Sequence, residues 1–356
     1  MARLGDYVRI RTGKLDANAS SETGEYPFFT CAVEPLRIDT YSYDCECVLV
    51  AGNGDLNVKY YEGKFDAYQR TYIIESIDKA ILSVPYLFLF LDKYVETLRE
   101  QSIGGVIKYI KLGMLTEAQI PLCSLEEQRD AVALLHRVDE LISLRKKQLQ
   151  KLDDLIKSRF VEMFGKEKHM MAMSEICAII TDGTHQPPKF VSEGIPFIFV
   201  SNITENRITY EAEKFIDDNT YNDLIKRTPI EIGDILLSTV GSYGHPAVVR
   251  SEKKFLFQRH IAYLKPRKEL IDSDYLHVAI LSPDAQFQIE QGVKGIAQKT
   301  LNLSEIKKIR IPVPELRKQK EFSYYIKHLD KSKLTIRLGL EKLEQMKQAL
   351  MQKYFG

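Results

Sequence analysis

The sequence predicts an α+β chain written twice: two mixed α/β globular domains separated by two long helices that pair with each other. Three observations predict it. Residues 120–165 and 311–356 align without a gap at an offset of 191 residues, with identities that include Ile120/Ile311, Pro121/Pro312, Leu125/Leu316, Gln128/Gln319, Asp139/Asp330, Leu149/Leu340, Leu152/Leu343 and Gly165/Gly356. Both segments carry apolar residues at heptad spacing. The stretches before them alternate short β-branched and aromatic runs with Gly, Asn, Asp and Ser turns.

Taken in order, residues 1–119 form the first globular domain, with runs such as CVLVAGNG and RTYII and a helix expected over residues 85–102. Residues 120–167 form the first long helix. After Ile120-Pro121 the chain runs about 40 residues without further Pro or interior Gly. One track passes through Leu135, Ile142, Leu149, Ile156 and Met163, and a second through Val138, Arg145, Leu152 and Arg159. Such a helix is roughly 55–60 Å long. Residues 168–310 form the second globular domain, with runs PFIFVSNI, DILLSTVGSYG and HIAYLKP and a helix expected over residues 274–292. Residues 311–356 form the second long helix, with tracks through Ile326, Lys333, Leu340, Lys347 and Tyr354 and through Leu329, Ile336, Leu343 and Leu350.

The basic residues on these tracks differ between copies. Arg145 and Arg159 stand where the second copy has Ile336 and Leu350, and Lys333 and Lys347 where the first has Ile142 and Ile156. The seams are complementary, which predicts that the first helix pairs with the second. Two ordinary amphipathic helices, each packed on its own domain, are the other arrangement the pattern admits.

The repeat reaches upstream. Gly104, Lys108, Leu112 and Leu115 match Gly295, Lys299, Leu303 and Ile306 at the same offset. Tyr26-Pro27-Phe28 matches Ile195-Pro196-Phe197 at an offset of 169, and Tyr68-Gln69-Arg70 matches Phe257-Gln258-Arg259 at 189. The second copy therefore carries about 20 extra residues.

Composition narrows the function. Hydrophobic residues are 44% and charged residues 28%, a soluble globular mix. The most apolar stretch, residues 81–91, is broken by Ser83 and Pro85 and is too short to span a bilayer. The N-terminal residues lack an apolar signal core, and five cysteines without a CxxC fit reduced thiols, so a cytoplasmic protein is expected. Cys45 and Cys47 with a distant histidine are weak material for a metal site. Net charge is only +1. It divides as 13 basic and 17 acidic side chains in residues 1–120, 10 and 9 in 121–168, 17 and 18 in 169–310, and 10 and 5 in 311–356. Neither globular domain is basic, which argues against strong autonomous DNA binding.

Catalytic motifs are absent. The Ala51-Gly52-Asn53-Gly54-Asp55 run lacks the third glycine of a cofactor loop and reads as a strand-to-strand turn. No P-loop occurs. His185-Gln186-Pro187-Pro188-Lys189 lacks the flanking residues of an amino-methyltransferase loop, and Glu252-x-Lys254 and Glu305-x-Lys307 lack a strand aspartate for a nuclease centre. The polar loops say more. Gly52-Asn53-Gly54 precedes Tyr68-Gln69-Arg70, and Gly241-Ser242-Tyr243-Gly244-His245 precedes Gln258-Arg259-His260. Gln can read adenine and Arg guanine in the major groove, and glycine-loop amides can hold phosphates. The same recurrence equally suits a Gln-Arg pair that satisfies buried backbone beside each loop.

At this point the chain resembles the specificity (S) subunit of type I restriction-modification systems. The layout covers the whole chain. Ile120-Pro121-Leu122, Leu125, Glu127-Gln128, Asp139, Lys151-Leu152 and Phe164-Gly165 look like the family's proximal helix, and Asp182-Gly183-Thr184-His185 with Gly194-Ile195-Pro196-Phe197 look like the start of a target-recognition domain. The second helix departs, with Lys318-Gln319 for the usual Glu-Gln and Ile336 opposite Arg145. The resemblance implies a pseudo-twofold repeat in which each globular domain reads one half of a bipartite, asymmetric DNA site. It implies an antiparallel coiled coil that sets the spacing, contributed by Leu135, Val138, Ile142, Leu149, Leu152, Ile156, Ile326, Leu329, Ile336, Leu340, Leu343 and Leu350. It implies two methyltransferase subunits using S-adenosylmethionine, restriction subunits that can join with ATP and Mg, and no catalytic residue, metal or cofactor in this chain. The candidate DNA-binding residues are Lys14, Asn53, Tyr68, Gln69, Arg70 and Lys108 in the first copy, and Thr184, His185, Lys189, Ser242, Tyr243, His245, Gln258, Arg259 and Lys299 in the second. The competing reading is a coiled-coil adaptor for protein partners without DNA readout. A nuclease fused to a recognition domain is a third.

Overall fold

The structure, a computed structural model, describes residues 1–295 and 298–356. It divides into two compact units, Met1–Lys146 with Leu338–Gly356, and Lys147–Arg337.

In the first unit a six-stranded sheet runs in the order Val8–Thr12, Thr71–Ser76, Tyr43–Ala51, Val58–Ala67, Tyr26–Phe29, Leu36–Ile38. All neighbours are antiparallel except Tyr26–Phe29 and Val58–Ala67, where Phe28 lies opposite Asp66 in parallel. The apolar run Cys47–Ala51 is buried on both faces. Helix Val84–Gln101 starts at Ser83 with Pro85 in its first turn, where a missing N–H costs nothing. Its Leu87, Phe90, Leu91, Val95 and Leu98 recur at helical spacing and pack with Val48, Val50 and Ile74. Each such buried side chain contributes about 1.5–3 kcal/mol.

The second unit keeps the plan but splits the sheet. Cys177–Asp182, Ile261–Pro266, Ile235–Ser238 and Pro246–Val248 form a four-stranded antiparallel sheet. Phe215–Ile216, Ile195–Ile198 and Leu256–Phe257 form a three-stranded mixed sheet, in which the last two strands are parallel. The ten-residue strand Val58–Ala67 thus has two short counterparts, parted by the charged run from Arg250 to Lys254. The helix expected over residues 85–102 is present. The one expected over residues 274–292 is two helices, Ser273–Ile280 and Pro283–Gly292. Pro283 has no N–H to continue the first helix, and Ser282 Oγ caps the second by accepting from the Ala285 amide.

The long helices are Leu125–Phe164 and Leu316–Phe355. Ser124 and Glu127 open the first with a reciprocal capping box. Ala131, Leu135 and, from the second helix, Phe355 belong to the core of the first unit. Phe322, Ile326 and, from the first helix, Ile156, Phe160 and Phe164 belong to the core of the second. Neither helix, then, packs on its own domain alone. Lys347 Nζ lies 2.7 Å from Asp139 and Lys146 Nζ 3.3 Å from Glu344 in the first unit, and Lys333 Nζ lies 2.5 Å from Asp153 in the second.

One pin recurs in both units. The fully buried Gln128 donates to the carbonyls of Ile81 and Cys123 and accepts from the Ser83 amide. Gln319 does the same with Leu270, Pro314 and Asp272. Tyr86 and Tyr275 donate at 2.8 Å to the carbonyls of Pro121 and Pro312. Among the described residues no helix is long and apolar enough to cross a membrane, and no group of three His, Cys, Asp or Glu could hold a metal ion.

Candidate nucleic-acid interface

The polar loops sit on a backbone framework of which four hydrogen bonds recur in both units. In the first unit the Gly13 amide donates to Thr71 at 3.1 Å, Lys14 to Ala67 at 3.2 Å, Tyr68 to Phe29 at 2.9 Å and Gly52 to Arg70 at 2.8 Å. In the second, Gly183 donates to Ile261 at 3.2 Å, Thr184 to Phe257 at 2.9 Å, Gln258 to Ile198 at 3.1 Å and Thr239 to His260 at 3.0 Å. A Cβ on Gly13 or Gly183 would overlap the carbonyl of Ala67 or Phe257, so both crossings require glycine.

This framework corrects one sequence match. Tyr68, Gln69 and Arg70 occupy the places of Gln258, Arg259 and His260, one residue away from the alignment of the two Gln-Arg dipeptides. The dipeptides are alike in letters but not in position, because the segments before them differ in length and the glycine crossing sets the register. Lys108 and Lys299 do correspond as expected. Gly54 donates to the Lys108 carbonyl at 2.9 Å and Gly241 to that of Lys299 at 3.2 Å.

In the first unit the framework gathers all six candidate residues. Lys14, Gln69, Arg70 and Lys108 are exposed, and Asn53 and Tyr68 are half-buried. Gln69 Nε2 donates to Asp16 at 2.8 Å. In the second unit His185 Nε2 lies 2.9 Å from Asp182, which also accepts from Arg227 at 2.5 Å. The His245 amide donates to Ser238 Oγ at 3.0 Å, and its ring Nδ1 lies 3.3 Å from Asn206 Oδ1. Lys299 Nζ sits 6.0 Å above the Tyr243 ring, and Ser242 is exposed. Arg259 Nε donates to His260 at 3.4 Å. Burial first, then the Arg259 charge, push His260 below the usual imidazole range. Lys189 lies within electrostatic reach of Asp217. Its charge adds a minor part to the lowering of Asp217, after the Thr220 hydrogen bonds.

Sequence reasoning missed Arg227, Asn206 and His260. Asp182 and His260 both lay inside quoted motifs but were not among the candidate residues. Arg227 and Asn206 fall in the extra residues of the second copy, where the repeat offers no guide. The arrangement presents exposed donors and cations on rigid glycine crossings, once per unit, as a two-part nucleic-acid reader requires.

Comparison with known proteins agrees. The family model for the type I restriction modification DNA specificity domain matches residues 1–154 and again 166–345. The chain belongs to that family. It is 37% identical over 154 residues to the type I restriction enzyme EcoDI specificity subunit of Escherichia coli, spanning 43% of this chain and about a third (34%) of that subunit. It is 22% identical over 391 aligned positions to the MjaVIII specificity subunit of Methanocaldococcus jannaschii, covering 99% of this chain and 90% of that one. Its fold is similar to the crystal structure of a type I restriction-modification S subunit from M. genitalium, with a TM-score of 0.61 at 18% identity, covering 100% of this chain and 95% of that one. A second solved structure, from work on complex assembly and conformational transition of the type I restriction-modification system, gives a TM-score of 0.57 at 17% identity, covering 99% and 96%.

Proposed function

We propose that the chain is the non-catalytic DNA sequence-recognition subunit of a type I restriction-modification enzyme. Each globular domain reads one half of a bipartite, asymmetric site. The observation that carries this reading is the recurrence of one glycine framework with different side chains on it, Tyr68-Gln69-Arg70 in one unit and Gln258-Arg259-His260 in the other. Equal scaffolds with unequal donors read unequal sequences.

The two long helices act as an antiparallel coiled coil that sets the distance between half-sites. The ion pairs support it: numbers rise from Asp139 to Asp153 along one helix as they fall from Lys347 to Lys333 along the other. Two methyltransferase subunits dock on the chain and supply S-adenosylmethionine chemistry, and restriction subunits supply the ATP- and Mg-dependent step. The complex works in the cytoplasm. Family membership favours this over an adaptor without DNA readout. The test is to produce the chain with its methyltransferase partner and sequence the methylated DNA. A two-part adenine-methylation motif is expected; no methylation motif, or a single contiguous one, contradicts the reading.

A further inference from the structure

We propose that residues 103–109 form a DNA-contacting finger of the first unit, in which Val106 and Ile107 press against base edges of its half-site and Lys108 neutralises an adjoining phosphate. The proposal rests on the recognition reading above. The finger is closed by two backbone hydrogen bonds exchanged between Ile103 and Tyr109, at 3.0 and 2.9 Å. Gly104 has φ +119°, and a Cβ there would lie 2.5 Å from the Ile107 carbonyl, so the turn requires glycine. The finger is not a loose loop. Lys108 accepts from Gly54, the Ile110 amide donates to Gly52 at 2.9 Å, and Tyr72 OH donates to the Ile110 carbonyl at 3.2 Å. It is therefore bolted to the polar loop of the first unit.

Its tip is apolar and open to solvent. Val106 is fully exposed and Ile107 is 63% exposed. An apolar tip on a hydrogen-bonded turn offers surface that a partner can remove from water. Its surroundings point to a duplex. Lys108 lies next in the chain, and the exposed Arg70 supplies the carbonyl that holds Gly52. Apolar residues flanked by cations suit thymine methyls and groove walls between phosphates. The second copy keeps the scaffold and changes the tip. Gly295 has φ +105°, its Cβ would overlap the Gln298 carbonyl, and Lys299 takes the place of Lys108. Gln298 thus stands where the first unit has Ile107, as expected of residues that distinguish two half-sites.

The test uses the full chain in complex with its methyltransferase partner, and duplexes carrying the site read from its methylated DNA. A Val106→Ser, Ile107→Ser double variant is expected to bind about tenfold more weakly. Base preferences in one half-site should flatten while those in the other half-site stay unchanged. Lys108→Ala should lower the salt dependence of binding by about one phosphate contact. Unchanged affinity and preferences overturn the proposal. So does a loss that tracks failure to assemble with the methyltransferase, which would make the finger a protein contact. A wild-type complex with no site preference overturns the recognition reading itself, and the finger with it.

Discussion

Gln128 and Gln319 each close three hydrogen bonds at a fully buried site. Gln128→Leu would leave the part-buried Ser83 amide and the Ile81 and Cys123 carbonyls without this partner. A destabilisation of about 2 kcal/mol is expected, read as a lower urea midpoint. Gln319→Leu should cost a similar amount. The identity was legible in the repeat, but its role was not, because two of the three partners of each glutamine lie more than 40 residues upstream. His277 gives a second prediction. Burial first, then Arg250, push it down to about 4, although the Asn206 carbonyl, Asp274 and Asp330 pull the other way. Below pH 6.5 the unfolded chain takes up a proton that the folded one refuses, so stability falls as pH drops toward 4. The loss between pH 7 and pH 5 is on the order of 2 kcal/mol, and His277→Gln should remove that slope in denaturation curves.

The long helices were legible because periodicity over about 40 residues outweighs any local preference. What could not be read was the fate of the lysines on the apolar track. Lys333 is buried against Asp153, with Asp330 at 3.9 Å, and a partner 180 residues away leaves no local trace. A half-exposed Asp153 tempers the pair's worth. Asp153→Ala is expected to cost about 1–3 kcal/mol, while Lys333→Met with Asp153→Leu should fold nearly as well as the native chain. A thermal-melt double-mutant cycle checks this, and additive losses would deny the coupling. Elsewhere the sequence misled for physical reasons. The continuous helix over residues 274–292 ignored Pro283, and the Gln-Arg match followed letters across an unequal insertion rather than the glycine crossing.

In the whole molecule, near-neutral charge fits a reader that relies on geometry and partners rather than on bulk attraction. Arg70→Ala and Arg259→Ala should each relax base preference in a different half-site. Because Arg259 corresponds to Gln69 and Arg70 to His260, the affected positions within the two halves should differ. Methylation maps from cells making each variant would show this, and identical loss in both halves would contradict it. The repeat and the polar loops were readable from sequence. The register between the two loops was not, since backbone crossings at Gly13 and Gly183 carry no signature beyond a glycine. On the proposed reading, two different readers are held apart by a helical ruler. Its most direct test is methylome sequencing of a variant with about two helical turns (one heptad) added to each long helix at facing positions. The same two half-sites are expected, with a longer spacer between them. An unchanged spacer in a folded, active complex would contradict that reading.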